Sequence, residues 1–278
     1  MSWRRMFVVA RTDLRQLWQS PDFWVPMLIL AGFFFVIAPT ILLFVITRVG
    51  DITLVQKVSD TLDVLPQAAQ TAITSKVASG SPSGKTSYAL AVYLFAPLAV
   101  IVPMTISTAV GANTLVGELE KGTGEFLAHS PASERELYLG KLLASLVPGY
   151  LTTLVGFAIY SLVVNVIVGP EVGGWFFPTS QWWLLMLWVV PPFLALTLSV
   201  VLRLSARVRS AAAAQQASGL VTLPLIMIAY AQSSGALFTT DSTSWFLGAV
   251  AWVLAIVGLQ RGARAVTRAR LLGVEGES

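Results

Sequence analysis

Few residues in this chain could do chemistry, and most of them lie at 117–141, GELEKGTGEFLAHSPASERELYLGK. The segment holds Glu118, Glu120, Glu125, Glu134 and Glu136, and the only histidine, His129. A metal site needs several converging ligands, and His129 has no second histidine to join it. Glu118 and Glu120 are two apart and diverge on a helix, so they do not form an acid–base pair. The chain has no cysteine, which excludes disulfides, thiolate metal sites and cysteine nucleophiles. Ser133, with Glu136 three residues on, reads as a capping box that starts a helix, and Glu134 suits its first turn. At 80–86, GSPSGKT imitates a phosphate-binding loop. Only three residues separate its glycines, Ser79 stands where the first glycine belongs, and no strand precedes it, so the motif fails.

The elements around this segment are apolar. The chain has 278 residues, of which 55% are hydrophobic and 12% charged. Soluble domains carry about 25% charged residues. The expected fold is an all-α membrane protein of about six transmembrane helices. The spans fall at 23–46, 88–112, 142–168, 181–202, 217–231 and 245–259. The fifth is short enough to be either a full span or re-entrant. Ahead of them, residues 1–22 place Trp3, Phe7, Ala10, Leu14, Leu17 and Trp18 at helical spacing. Arg4, Arg5, Arg11 and Arg15 make the opposite face basic, as suits an amphipathic elbow helix in the headgroup layer. Ser20-Pro21 ends it. In the polar segment 47–87, Val55, Val58, Leu62, Leu65 and Ala69 predict a further amphipathic helix, and a Gly/Ser/Pro-rich linker follows at 79–84.

Orientation follows from the cations. Of 18 Lys and Arg, only Arg48, Lys57, Lys76 and Lys85 fall in segments that lie outside when both termini are inside. The positive-inside rule therefore gives N-in, C-in. That leaves 47–87 extracytoplasmic, 113–141 a cytoplasmic loop, 142–260 the third to sixth spans and 261–278 a basic cytoplasmic tail. The net charge of +4 is explained by this bias rather than by nucleic-acid binding. Trp18 and Trp24 at one face, and Trp175, Trp182, Trp183 and Trp245 at the other, read as interfacial belts. The spans carry essentially no charge away from their ends, whereas ion-coupled carriers place an ionisable group near the midplane. Their neutral polar groups, Tyr160, Ser161 and Asn165 among them, are expected to bond backbone or neighbouring helices. A link between spans needs only a few residues, so the longer 117–141 loop reads as a docking surface for another protein.

Within that loop, Glu118, Glu120, Lys121, Gly122, Thr123, Glu125, Phe126, Leu127, Ser130, Pro131, Glu134, Leu137, Gly140 and Lys141 form a pattern that resembles the ABC-2 type permease family. These are membrane subunits of ATP-binding-cassette exporters. The span number, the elbow helix, the long outer loop and SARVRSAAAAQQASGL at 205–220 extend the likeness to the sodium-exporter-like and drug-exporter-like branches. Gly124 departs from the Leu common in the family, which loosens the local helix.

The resemblance implies a permease subunit that is not itself an enzyme and binds no cofactor. ATP and Mg would sit on a separate cytoplasmic ABC ATPase. A second permease copy, identical or not, would complete the transporter, in a bacterial plasma membrane. The loop would be the coupling element, with the elbow helix as a second contact. Its acids would set orientation on the ATPase, and Phe126, Leu127 and Leu137 would anchor it. Cargo would pass between the two copies, lined by the second and fifth spans. Low charge along the spans favours an amphipathic or lipid-like cargo, and the family likeness adds an ionic one. The alternative is a membrane scaffold or sensor that binds a ligand through 47–87 and has no ATPase partner.

Overall fold

In a computed structural model of the protein, the described residues are 2–49, 55, 65, 67–77, 80–120, 129–205, 216 and 241–263, without the side chains of 49, 68, 113–120, 205, 241 and 243. All the regular structure among them is helical. Helix α1 is Trp3–Gln19, α2 Pro21–Arg48, α3 Gln67–Lys76 and α4 Pro82–Ala112, whose last stretch continues to Glu120. Helix α5 is Glu134–Ile167, α6 Gly169–Val172, α7 Ser180–Leu204 and α8 Asp241–Gly262. Five of these, α2, α4, α5, α7 and α8, are long and apolar enough to cross a membrane. The chain is an all-α membrane protein. The expected fifth span, 217–231, lies outside the described residues.

Hydropathy sets the spans, but prolines shape them. Proline lacks an N–H, and its ring crowds the carbonyl four residues back. Three wide π turns answer this. Phe33–Ile37 precedes Pro39, Leu90–Leu94 precedes Pro97, and Leu185–Val189 precedes Pro191. At Pro97 the consequence can be traced bond by bond. The Phe95 amide donates to the Leu90 carbonyl at 3.0 Å, and the Ala96 amide to Tyr93 at 3.2 Å. Those two amides would otherwise serve the carbonyls of Ala91 and Val92. Side chains from two other helices take their place. The Tyr160 hydroxyl of α5 donates to Ala91 O at 2.6 Å, and Trp182 Nε1 of α7 donates to Val92 O at 2.9 Å. In hydrocarbon no water can do this.

These bonds pin α4 between α5 and α7, and the packing agrees. A Cβ at Gly149 of α5 would lie 2.2 Å from Ser107 Oγ and 2.7 Å from the Pro103 carbonyl, so glycine there lets α4 and α5 touch backbones. Helices α7 and α8 run parallel, Trp188 Nε1 donating to the Trp245 carbonyl at 3.2 Å and Ser199 lying beside Gly258. The connection after α5 is fixed by Asn165. Its carbonyl oxygen accepts from the amides of Phe176 and Phe177, both at 3.0 Å, and its NH₂ donates to Ser161 O and Phe177 O. An aromatic cluster of Phe157, Tyr160, Phe177 and Trp182 fills the space beside it.

Several expectations shift. Trp182 is 3% exposed and belongs to the core, not to an interfacial belt. Trp18, Trp175, Trp183 and Trp245 are exposed, as belt residues should be. Of the apolar stripe expected in 47–87, Leu65 and Ala69 are buried and Ile73 and Val77 continue it along α3, while Val58 and Leu62 lie outside the described residues. The failed phosphate-loop motif is a helix start: Ser81 Oγ caps α4 by accepting from the Gly84 amide at 3.0 Å. The same hydroxyl donates to Glu171 Oε2 of α6 at 2.9 Å, so α4 begins at Pro82, ahead of its apolar stretch.

Replacing Tyr160 by Phe keeps the ring and removes only the donor to Ala91. Leaving a buried carbonyl unpaired costs about 1–3 kcal/mol. Thermal unfolding of the purified protein should fall accordingly, and an unchanged midpoint would refute the assignment of this bond as the pin between α4 and α5.

Candidate functional site

The polar end of the bundle is built on the first turn of α5. Ser133 caps it by accepting from the Glu136 amide at 3.3 Å, while Glu136 Oε2 accepts from the Ser133 amide at 2.9 Å. The capping box therefore forms as its sequence predicts. The second oxygen of Glu136 accepts from the backbone amide of Ser2, at the head of α1. Glu136 is only 3% exposed, so an N-terminal amide far away in sequence satisfies a buried acid.

Three further contacts fasten α1 to α5 and to the turn that precedes it. Arg5 Nη1 donates to the Pro131 carbonyl at 2.8 Å. Lys141 Nζ lies 3.1 Å from Asp13 Oδ2, with the lysine 2% exposed. Between these polar ties, Gly140 lets the two helices meet. A Cβ there would stand 2.8 Å from Val9 Cβ and 3.0 Å from the Met6 carbonyl. Met6 and Ala10 are buried on this face. The amphipathic helix thus has two apolar stripes. Met6, Val9 and Ala10 face α5, while Trp3, Phe7 and Trp18 stay exposed. The expected single stripe mixed the two.

The same end gathers the ends of the other helices. Ala132, Leu137, Tyr138 and Leu142 of the α5 start cluster with Leu198 and Leu202 of α7 and with Ala263 after α8. Arg203 Nη2 donates to the Gly258 carbonyl of α8. Helices α1, α5, α7 and α8 therefore form one packed unit at this end.

Of the residues that the sequence singled out, Leu137 and Lys141 are buried inside this unit. Pro131 is exposed with its carbonyl bound to Arg5, and Ser130 and Glu134 are half-buried. Arg4, Arg11 and Arg15 are exposed on α1. Glu118 and Glu120 lie on the backbone of the helix that extends α4. Lys121, Gly122, Thr123, Glu125, Phe126 and Leu127 lie outside the described residues. No group of three or more metal-ligating side chains occurs among the described residues. Sequence reasoning missed Ser2, Met6, Val9 and Asp13. Their spacing of three and four along α1 was the available signal.

A multi-pass helical membrane protein with a structured polar end, where a terminal amphipathic helix clasps the start of a long span, is the class that this arrangement defines. The family model for the ABC-2 family transporter protein matches residues 45–260, most of the chain. The chain belongs to that family and is a permease component of an ABC transporter. Among curated proteins none matches it.

Gly140→Ala forces a methyl group against Val9 and the Met6 backbone. Overpacking of this kind costs about 1–3 kcal/mol. Lys141→Met leaves the Asp13 carboxylate without its ion partner, and breaking a buried pair from one side costs up to about 3–5 kcal/mol. Both should speed amide hydrogen exchange in α1 while leaving the Ala91–Tyr160 region protected. Wild-type exchange across α1 in both variants would show that the clasp does not hold it.

Proposed function

We propose that the chain is the membrane half of an ABC exporter in a bacterial plasma membrane, and that its polar end receives the stroke of a separate ATPase. The single observation that carries this reading is the clasp. Glu136 and Lys141 join α1 to the first turns of α5, so whatever moves the loop moves both helices. Helix α5 then runs unbroken for 34 residues, about 50 Å at 1.5 Å per residue. A push at its start reaches the far end of the bundle. Through Tyr160 it also bears on the proline break of α4.

On this reading the parts divide their work. Glu118, Glu120, Lys121, Gly122, Thr123, Glu125, Phe126, Leu127, Ser130, Pro131 and Glu134 meet the ATPase. Leu137 and Lys141, being buried, transmit the movement rather than make the contact. The acids set orientation and recognition more than affinity. ATP and Mg are bound by the partner, and nucleotide-driven closure shifts the population of permease states. A second permease copy, identical or related, completes the path for an amphipathic, lipid-like or ionic cargo. The polar face of α1 rests on membrane lipid through its arginines.

The test uses the intact chain drawn from its own membranes. A cassette ATPase should co-purify with it. Changing Glu118→Lys together with Glu125→Lys should lose that partner or uncouple its turnover, with the fold intact by thermal unfolding. If no ATPase accompanies the chain, the exporter reading fails and a scaffold or sensor working through 47–87 replaces it. If the ATPase binds and turns over equally with both acids reversed, the docking assignment fails.

A further inference from the structure

A lateral groove of about 660 Å³ opens beneath the last turns of α1. Its walls come from four helices: Trp18 of α1, Met27 and Leu30 of α2, Ala109 of α4, and Leu151 and Thr152 of α5. The lining is overwhelmingly apolar, and Asp22 is the one charged residue in it. That acid stands exposed in the first turn of α2, where the helix N-terminus favours a carboxylate. The groove exists because α2 meets α5 higher up, where Phe35 is buried against Gly156. Nearer α1, Leu14, Leu17 and Trp18 of that helix close the wedge.

Depth and exposure place it in the bilayer. From Phe23 to Leu30 the wall of α2 descends by about 10 Å of helical rise, roughly two-thirds of one leaflet in a hydrocarbon core about 30 Å thick. Leu28 and Ile29 of α2 and Leu151 and Val155 of α5 are exposed, so the surrounding surface faces lipid. An apolar cleft left empty forfeits dispersion contacts along its whole lining, and water gains too few polar partners there to fill it. On α1, Arg15 and Arg11 stand three and seven residues before the groove-lining Trp18 and both are exposed, so the basic face adjoins Trp18 and is not opposite to it as expected. Guanidinium groups suit phosphate oxygens.

We propose that this groove holds one acyl chain of a membrane glycerophospholipid, with the lipid phosphate on Arg11 and Arg15. It is a defined site rather than part of the general lipid annulus, because α1 roofs it. The Asp13–Lys141 pair keeps that roof down. The inference depends on membrane insertion of the chain and not on the exporter reading, so either can fail alone.

The test reconstitutes the intact chain in phosphatidylglycerol vesicles that contain phosphatidylglycerol with a photoreactive group in its acyl chain. Label should concentrate at Ala109 and Thr152 over Leu162, an exposed position farther along α5, by about tenfold, the ratio that about 1.4 kcal/mol gives. Ala109→Trp should abolish that excess without changing label at Leu162. Because this variant could perturb the fold, Arg11→Gln with Arg15→Gln is the second arm, and it should lower groove label about tenfold at an unchanged unfolding temperature. Equal label at the groove and at Leu162 overturns the proposal. So does a disulfide joining two copies through Thr105→Cys, which would mean that a second copy fills the groove.

Discussion

A backbone carbonyl freed in hydrocarbon has to find its partner in the chain, and that constraint organises the bundle. It is felt most sharply where α4 breaks at Pro97. The break frees the carbonyls of Ala91 and Val92, and the fold answers with a tyrosine from α5 and a tryptophan from α7. The relative heights of three spans are thereby set to within hydrogen-bonding distance. Asn165 does the same for the connection between α5 and α7, using both its oxygen and its NH₂. Apolar packing alone sets no such register, because lipid tails compete with it on equal terms.

At the polar end the same rule acts on charge. A buried lysine and a buried glutamate are costly unless paired, and both are paired with α1. This couples two parts of the chain that composition would treat separately: an interfacial helix and a loop. The second half of the loop is core, with Leu137 and Tyr138 packed on α7 and on the end of α8. On the proposed reading, the stretch before Ala132 and half-buried Glu134 are left to meet a partner.

Much of this was legible in the sequence wherever the cause was local. Span positions follow from runs of apolar residues, and the capping box at Ser133 and Glu136 is a four-residue pattern that formed as read. The family likeness rested on a contiguous motif and agrees with the family match over 45–260. What could not be read depends on partners distant in sequence. Asp13 and Lys141 are 128 residues apart, and neither has a local reason to be buried. Trp182 looked interfacial because tryptophan at a span end usually is, yet the vacancy left by Pro97 draws it inward. On α1, helical spacing alone joined Ala10, which is buried against α5, to Trp3, Phe7 and Trp18, which stay exposed. Hydropathy likewise started α4 late, since the Ser81 cap and its Glu171 partner are polar.

Helix α1 is also where the two proposals meet. It is held to α5 by its buried stripe, and its last turns roof the groove beside α2, so a displacement of the loop that carries α5 and α1 together changes the shape of that groove. The energetic consequence is symmetrical. If a lipid chain in the groove favours one position of α1, then the state of the loop biases lipid occupancy by the same free energy. Such a link needs no long pathway. Asp13, which fixes α1 to Lys141, and Leu14, which lines the groove, are neighbours on a single turn. The helix that the sequence presents as a lipid-surface elbow and a second contact for a partner thus touches both the start of α5 and the groove.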